Sequence, residues 1–352
     1  MADGAQAGVS DFAERLRARC PMTVRDFMAA CLADPAHGYY TKGARVGRAG
    51  DFVTAPEISQ IFGEILGLFL AQAWIDQGRP ADAILAELGP GRGTLMADAA
   101  RAIERAVAFR PPLHLVEINE TLRTEQAAKL SGRAPVWHAD ADALPDAPLF
   151  LLANEFFDAL PVRQFRRMGA AWRERVVTPD FEFADGPEVP APVAHEVPDG
   201  AIVETCPDAA AIVRMLGERI ARRGGAALIA DYGAPVSGWG DTLQAVRAHA
   251  RVSVFDRPGE TDLTAHVDFA ALADAARAGG AAAHGACAQG DFLRRAGAHA
   301  RAAALIAANP GRRAEVERAL ARLIAPAEMG RVFRVLAVLP HGAVPPVPMD
   351  GY

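Results

Sequence analysis

The sequence has few cysteines, no long apolar run and no large excess of positive or negative charge. Its four cysteines are scattered along the chain: Cys20, Cys31, Cys206 and Cys287. They show no Cys-x-x-Cys spacing, which favours a reducing compartment and argues against a zinc site. No apolar run reaches the roughly 18 residues of a membrane-spanning helix, and the net charge of −6 disfavours a nucleic-acid partner. We therefore expect a soluble globular protein with no metal centre, no membrane span and no nucleic-acid partner.

The first twenty residues also lack the features of a targeting segment. They contain no apolar signal core, and Asp3, Asp11 and Glu14 argue against a transit peptide, because transit peptides are poor in acidic residues. The frequent alanine, arginine and glycine are typical of a bacterial composition bias. We expect a cytoplasmic bacterial protein, and the sequence leaves its oligomeric state open.

One stretch, Ile84–Leu95, has the pattern of a strand that runs through glycines into a helix. The glycines follow Glu87 at alternate positions: Gly89, Gly91 and Gly93. Apolar residues then recur at helical spacing: Leu95, Ala99, Ile103 and Val107. Glycines let a backbone approach a bound molecule, and a helix N-terminus offers unpaired N–H groups. The stretch predicts a ligand-binding turn; a glycine-rich turn without a ligand is the alternative.

The spacing of these glycines also indicates which ligand is bound. A dinucleotide fingerprint has the order Gly-x-Gly-x-x-Gly, and its third glycine position holds Thr94 here. Glu87 would repel a pyrophosphate but suits a ligand with a cationic amino-acid end, such as S-adenosylmethionine. The pattern Glu-x-Gly-x-Gly-x-Gly resembles the first motif of Rossmann-like methyltransferases. We therefore predict that Glu87 and the three glycines bind S-adenosylmethionine.

Two further strands are expected to end in donor-binding residues. The apolar segment 111–119 places Glu117 24 positions past Gly93. That spacing is close to the roughly 20 residues at which a carboxylate binds ribose hydroxyls in nucleotide-binding βαβ units. The short segment 136–140 ends in Asp140, where folds of this kind contact adenine. Glu117 and Asp140 are thus predicted to bind the adenosine part of the donor, although Glu117 alone would also suit an exposed strand end.

A fourth predicted strand, 149–154, ends at Asn154. Polar and aromatic residues follow it directly: Glu155, Phe156, Phe157 and Asp158. The carboxyl end of this strand faces the methyl donor in doubly wound methyltransferases. Asn-x-x-Phe resembles the Asn-Pro-Pro-Tyr signature of enzymes that methylate planar amino nitrogens, with Glu-Phe in place of Pro-Pro. The residues therefore indicate an acceptor site; a capped strand-end turn is the alternative.

Strands alternate with helices along most of the chain, so the fold class is α/β with a mostly parallel, doubly wound sheet. We expect a helical region at 1–80 packed on a core at 81–340, followed by a tail at 341–352. Within the core we expect a β insertion at about 166–205 and an irregular insertion at about 234–266. The helical region carries a Gly-rich loop ending at Asp51, and Thr54 with Glu57 has the spacing of a capping box.

Six blocks of the sequence together resemble the MidA-like family of methyltransferases. They occur in the family's order between about residues 37 and 270: GYY–GDFVTAPEISQIFGE, ELGPGRGTL, LVEIN, NEFFDALPVRQF, DYG and DLTAHVDF. The resemblance implies a Rossmann-like class I methyltransferase core with a helical N-terminal region and insertions. It also implies S-adenosylmethionine as cofactor and, for the mitochondrial member, symmetric dimethylation of an arginine in a complex I subunit. We therefore expect a protein arginine N-methyltransferase linked to respiratory complex I assembly, with a complex I subunit as the expected protein substrate.

Arginine methylation sets chemical demands that these residues meet. A guanidinium has a pKa above 12 and is a poor nucleophile while its charge is delocalised, so carboxylates are needed to hold it and localise a lone pair. We predict Glu155 and Asp158 for this role, with Asn154 orienting the nitrogen and contacting the donor. The expected substrate-binding residues are Asp51, Phe156, Phe157, Asp231 and His266.

Two other functions stay open at this point. One is a methyltransferase that acts on another nitrogen or on a small molecule, which the Asn-x-x-Phe pattern favours. The other is a non-catalytic assembly factor that binds S-adenosylmethionine or a partner through the long loops. The intact glycine motif and the acidic residues around it favour an enzyme.

Overall fold

The computed structural model describes residues 2–42, 54–247, 250–349 and 351. The helices are α1 (Ala2–Arg19), α2 (Val24–Ala33), α3 (Ala55–Ile58), α4 (Gln60–Asp76), α5 (Thr94–Val107), α6 (Glu120–Lys129), α7 (Pro207–Arg223), α8 (Phe269–Ala278), α9 (Gln289–Arg295), α10 (Ala298–Ala308), α11 (Arg313–Ile324) and α12 (Met329–Val332). The strands are β1 (Met22–Thr23), β2 (Ile84–Leu88), β3 (Leu113–Val116), β4 (Val136–His138), β5 (Leu149–Asn154), β6 (Arg163–Met168), β7 (Ala171–Val177), β8 (Phe183–Val189), β9 (Ile202–Thr205), β10 (Gly225–Ala234), β11 (Gln244–Arg247), β12 (Ala250–Val252), β13 (Asp262–Thr264), β14 (Val267–Asp268), β15 (Ala281–Ala288) and β16 (Phe333–Pro340). Short 3-10 helices span Pro310–Arg312 and Val347–Met349.

The chain forms two compact units, and their boundaries differ from the domain boundaries expected from the sequence. The core unit contains Val53–Phe157, Ala210–Val236 and Val267–Tyr352, and the insertion unit contains Met1–Phe52, Asp158–Ala209 and Ser237–His266. The expected boundary near residue 80 is absent because α4 packs on α5 within the core unit. The N-terminal residues belong to the insertion unit instead, since β1 pairs antiparallel with β7.

The core unit is built on a single sheet of mostly parallel strands. Its order is β15-β16-β10-β5-β2-β3-β4, and β14 adds to the end of β10. Strands β2, β3, β4, β5 and β10 run parallel, whereas β16 and β15 are antiparallel to their neighbours. Strands β2 and β5 at the centre are buried along their whole length, which suits a sheet covered on both faces. The α/β class and the mostly parallel sheet are confirmed.

The expected capping box at the start of the long apolar helix is wrong. Thr54 precedes α3 but its side chain makes no capping hydrogen bond, and α3 ends after one turn at Ile58. Ser59 is extended (φ −158°, ψ 136°), and its hydroxyl accepts the Ile61 N–H to start α4. Glu57 does not reach back to the helix start because the Thr94 hydroxyl donates to its carboxylate.

The insertion unit contains two antiparallel sheets. The larger has the order β1-β7-β6-β9, with β8 on β7, and so includes the segment expected as a β insertion. The smaller has the order β12-β11-β13, where the sequence suggested irregular structure. Its strands have only three or four residues, too few for an alternating pattern to stand out. They are fixed by packing, because Ala245 and Leu263 are buried in one apolar cluster with Phe27.

Within the described residues, none of the helices combines the length and the apolar character needed to cross a membrane. The same part of the chain brings together no three His, Cys, Asp or Glu side chains that would hold a metal ion.

Candidate active site

The parallel strands of the core unit end at one edge of the sheet, and the predicted donor-binding residues collect there. The register pairs Glu87 with Leu152 of β5 and with Leu115 of β3, so neighbouring strands end at nearly the same level. Ligands of doubly wound sheets bind outside the carboxyl ends of the strands. The structure therefore brings the glycine loop, Glu117, Asp140 and Asn154 to one side of the unit.

The loop between β2 and α5 needs its glycines for backbone conformation and for space. Gly89, Gly91 and Gly93 have φ of +59°, +50° and +75°, a left-handed region that costs other residues about 1–2 kcal/mol. A Cβ on Gly89 would lie 2.9 Å from Cδ2 of Phe156. The loop is thus a tight cradle that an added methyl group would fill.

Glu87 is a buried acid at the base of this cradle. Only 2% of the residue is exposed, and its carboxyl group accepts the backbone N–H of Met96 in the first turn of α5. It thereby caps a helix whose N-cap residue, Gly93, has no side chain. Its other oxygen, Oε2, is buried and accepts no hydrogen bond from the described residues. Burial, with the nearby charge of Glu117, raises the pKa of Glu87 to about 8. A cationic ligand end would supply the missing partner, and S-adenosylmethionine carries one in its ammonium group. The predicted pairing stays a prediction.

Glu117 lies directly after β3 and is held on both carboxylate oxygens. Oε1 accepts the Asn119 N–H at 2.9 Å, and Oε2 accepts from Nε2 of Gln126 at 3.2 Å. Burial raises the pKa of Glu117, while these hydrogen bonds oppose the rise. An acceptor fixed in this way suits the paired hydroxyls of a ribose.

Gln126 was missed in the sequence, although a signal for it exists. It lies between Leu122 and Leu130 at intervals of four residues on α6, and all three side chains are buried. A polar residue in such an apolar stripe must find buried hydrogen-bond partners. Gln126 does so by donating to Gly91 and Glu117, and it therefore belongs to the site.

Asp140 lies beyond β4 and is exposed. Its Oδ1 accepts the Ala143 N–H at 2.9 Å, which shapes the turn that follows the strand. Its position at the carboxyl edge agrees with the expected adenine contact, which stays a prediction.

Asn154 and Glu155 form a strained corner at the end of β5. Glu155 has φ +51°, a conformation that non-glycine residues rarely adopt, and its N–H donates to the Ala230 carbonyl at 2.9 Å. Its Oε1 accepts from the Ala55 N–H at 3.2 Å and from Nδ2 of Asn154 at 3.0 Å. Oδ1 of Asn154 is buried and accepts nothing from the described residues. Strain of this kind is characteristic of functional sites.

The two phenylalanines after this corner differ in position. The half-buried ring of Phe156 lies against Gly89, whereas Phe157 is 3% exposed and meets Phe156 edge to face at 5.2 Å. Asp231 is fully buried, and its oxygens accept the N–H groups of Phe157 and Tyr232. Phe156 can thus wall a pocket, while Phe157 and Asp231 shape the turn. Their predicted substrate contacts stay predictions.

A polar cluster ties α3 to the glycine loop. The Thr94 hydroxyl donates to Glu57 and accepts from the Lys129 ammonium. Arg92 lies 3.9 Å from the Glu57 carboxylate and donates to Glu125 at 2.9 Å. Thr94 occupies the position where a dinucleotide site has its third glycine, and here it anchors the neighbouring helix.

The remaining predicted residues lie outside the described part of the core unit. Asp51 lies outside the described residues, and Asp158 and His266 belong to the insertion unit. Asp158 is buried there, and its backbone carbonyl accepts the Ala265 N–H. Burial, followed by the charge of Arg251, lowers the pKa of His266. Their predicted roles stay predictions.

The fold and the site together define a class I S-adenosyl-L-methionine-dependent methyltransferase. The sequence model of a family described by that activity matches residues 65–287. A superfamily relative from Burkholderia thailandensis, solved with S-adenosyl-homocysteine bound, superposes with a TM-score of 0.83 at 29% identity. The match covers 99% of this chain and 95% of that one. S-adenosylmethionine is therefore the cofactor, as predicted.

Curated relatives place the chain within a narrower group. It is 37% identical to the mitochondrial protein arginine methyltransferase NDUFAF7 of Rattus norvegicus, over 93% of this chain and 83% of that one. It is 36% identical to the Homo sapiens protein of the same name, over 93% and 82%. The chain belongs to the MidA-like family of S-adenosylmethionine-dependent methyltransferases, which confirms the resemblance described above.

Proposed function

We propose that this methyltransferase dimethylates an arginine of a protein symmetrically, and that the protein is a subunit of respiratory complex I. The names of the relatives, protein arginine methyltransferases at 36–37% identity, support an arginine acceptor. The family resemblance of the sequence blocks supports the complex I subunit. The observation that carries the proposal is the strained corner of Asn154 and Glu155 beside the glycine loop.

This corner offers what a guanidinium acceptor needs. Bound S-adenosylmethionine supplies an electrophilic methyl group on a sulfonium, and positioning of the acceptor contributes much of the rate. The Glu155 carboxylate is already held in one orientation by the Ala55 N–H and the Asn154 amide. It is an acid that pairs with a guanidinium and localises its charge. The buried Oδ1 of Asn154 is an acceptor for one N–H of the same group.

Replacing Glu155 with glutamine tests this assignment. Glu155→Gln keeps the shape and removes the charge, so we expect methyl transfer to fall by roughly 100-fold or more while S-adenosylhomocysteine still binds. The control is Glu317→Gln, which removes a carboxylate from a surface pair on α11 and should leave both properties unchanged. Full methyl transfer by Glu155→Gln would refute the role of this carboxylate.

A methyltransferase for another nitrogen acceptor is the second candidate. The open Oδ1 of Asn154 favours it, because an amide oxygen accepts from an amino group as readily as from a guanidinium. Incubating the protein with labelled methyl donor and with separate protein, RNA and small-metabolite fractions distinguishes the two. Label in protein-bound arginine supports the first function, and label confined to metabolites or to another residue supports the second.

A further inference from the structure

Gln126 makes three side-chain hydrogen bonds at the donor-binding edge. The residue is fully buried. Its Nε2 donates to the Gly91 carbonyl at 2.6 Å and to Glu117 Oε2 at 3.2 Å, while its Oε1 accepts from Nε1 of Trp137 at 2.7 Å. We call these three contacts the Gln126 bridge. They join the glycine loop, the end of β3 and strand β4 through one amide group.

The partners of the bridge require an amide. A carbonyl and a carboxylate both need a donor, and the indole N–H of Trp137 needs an acceptor. The two amide hydrogens and the amide oxygen of Gln126 meet these needs in one orientation only. A glutamate of the same shape would lack the donors, and a methionine would lack both functions.

The bridge also keeps the Glu117 carboxylate available for a ligand. An uncharged amide fixes one oxygen of Glu117 without neutralising the carboxylate, whereas a lysine or arginine would compete with ribose hydroxyls for it. On the other side, the bond to the Gly91 carbonyl fixes the Gly91–Arg92 peptide within the glycine loop. The glycine loop and the carboxylate at the end of β3 are thus joined through one amide group.

We propose that Gln126 is a positioning residue for the methyl donor, which holds the glycine loop and the ribose-binding carboxylate in register so that both engage one S-adenosylmethionine molecule. The proposal rests on the assignment of Glu117 to the ribose hydroxyls. Gln126 itself acts through the two groups to which it donates. Its loss affects donor affinity before it affects the chemistry of the acceptor.

Calorimetric binding of S-adenosylhomocysteine at pH 6 and pH 8 tests the proposal, with each variant compared with the unmodified protein at the same pH. We expect Gln126→Met to weaken binding roughly tenfold at both pH values, since it lacks the donors. Gln126→Glu should weaken binding roughly 30-fold at pH 8, because an anion then lies beside Glu117. At pH 6 its deficit should shrink, because the protonated acid again donates one hydrogen bond. A pH-dependent rescue of this kind is not expected from loss of packing.

The matched control is Gln289→Glu, which changes another fully buried glutamine whose Nε2 donates to the Leu323 carbonyl. It should lower the unfolding temperature and leave binding within about twofold of the unmodified protein. Equal weakening by Gln289→Glu would mean general structural damage and would overturn the proposal.

Glu117→Gln separates the two assumptions. If Glu117→Gln weakens binding and both Gln126 variants bind within about threefold of the unmodified protein, the bridge has no positioning role. If Glu117→Gln also binds normally, the ribose assignment fails and the proposal fails with it. The methionine variant keeps the test decisive even where the glutamate variant does not fold.

Discussion

Lowering the pH should weaken binding of the methyl donor through one buried carboxyl group, that of Glu87. Its unliganded pKa is raised to about 8 by burial and by the charge of Glu117. The ammonium of the ligand attracts the ionised form only, so binding must expel the proton. About 1% of Glu87 is ionised at pH 6 and about 25% at pH 7.5. Affinity should therefore rise roughly 25-fold over this interval.

Titration calorimetry with S-adenosylhomocysteine measures this effect in two ways. The dissociation constant gives the pH dependence, and buffers of different ionisation enthalpy give the number of protons released, about 0.9 per ligand at pH 7. The interval ends at pH 7.5 because the α-amino group of the ligand itself loses its proton at higher pH. In Glu87→Gln the amide oxygen still accepts the Met96 N–H, but the pH dependence and the proton release should vanish. A flat profile for the unmodified protein, or an unchanged slope in Glu87→Gln, would refute the reasoning.

The raised pKa of Glu87 also predicts that the stability of the protein without ligand falls as the pH rises, whereas the affinity for the ligand increases. The unfolded chain loses this proton near pH 4.5, whereas the folded protein keeps it until about pH 8. The contribution of Glu87 to folding is therefore neutral below pH 4.5 and grows more unfavourable as the pH rises to about 8. Unfolding temperatures of the unmodified protein, measured relative to Glu87→Gln, should fall between these pH values. A constant difference would contradict the raised pKa.

Three further outcomes are expected. Gly89→Ala should weaken S-adenosylhomocysteine binding at least tenfold, because it adds a close contact with Phe156 to a backbone cost of about 1–2 kcal/mol. The matched control is Gly132→Ala, which should bind normally because Gly132 also has a left-handed backbone (φ +80°) but open space around it. Glu155→Gly and Glu155→Ala should both lose methyl transfer. The glycine variant should be more stable to denaturant by about 1 kcal/mol, because glycine tolerates φ +51°. Equal stability of the two variants would contradict backbone strain at Glu155. Arg301→Met removes the partner that donates to both carboxylate oxygens of the buried Glu64. It should lower the free energy of unfolding by roughly 2–3 kcal/mol and leave ligand binding unchanged. A changed dissociation constant would show that this ion pair also affects the ligand site.

Much of the core unit was predictable because its signals are local. The strand through Glu87 and the glycines, and the apolar run that ends at Asn154, are each short patterns that indicate a strand followed by a turn. Parallel strands share a carboxyl edge, so the grouping of Glu87, Glu117 and Asn154 followed from the order of the strands.

The division into units and the finer geometry were not predictable, because they depend on contacts distant in sequence. Met22 pairs with Val177, which draws the N-terminal segment into the insertion unit. Gln126 belongs to the site because it donates hydrogen bonds to Gly91 and Glu117, and the residues near Gln126 on α6 do not indicate these partners. The left-handed backbone of Glu155 likewise depends on the strands around it.

Mass spectrometry of methylated peptides from a strain lacking this protein, compared with its parent, tests arginine methylation by this chain. Arginine methylation by this chain predicts that one symmetric dimethylarginine disappears in the deletion strain, and that the unmodified gene restores it while Glu155→Gln does not. The proposed substrate predicts that the peptide comes from a complex I subunit. An unchanged set of methylated arginines, with a loss confined to small molecules or to another residue type, would contradict the account.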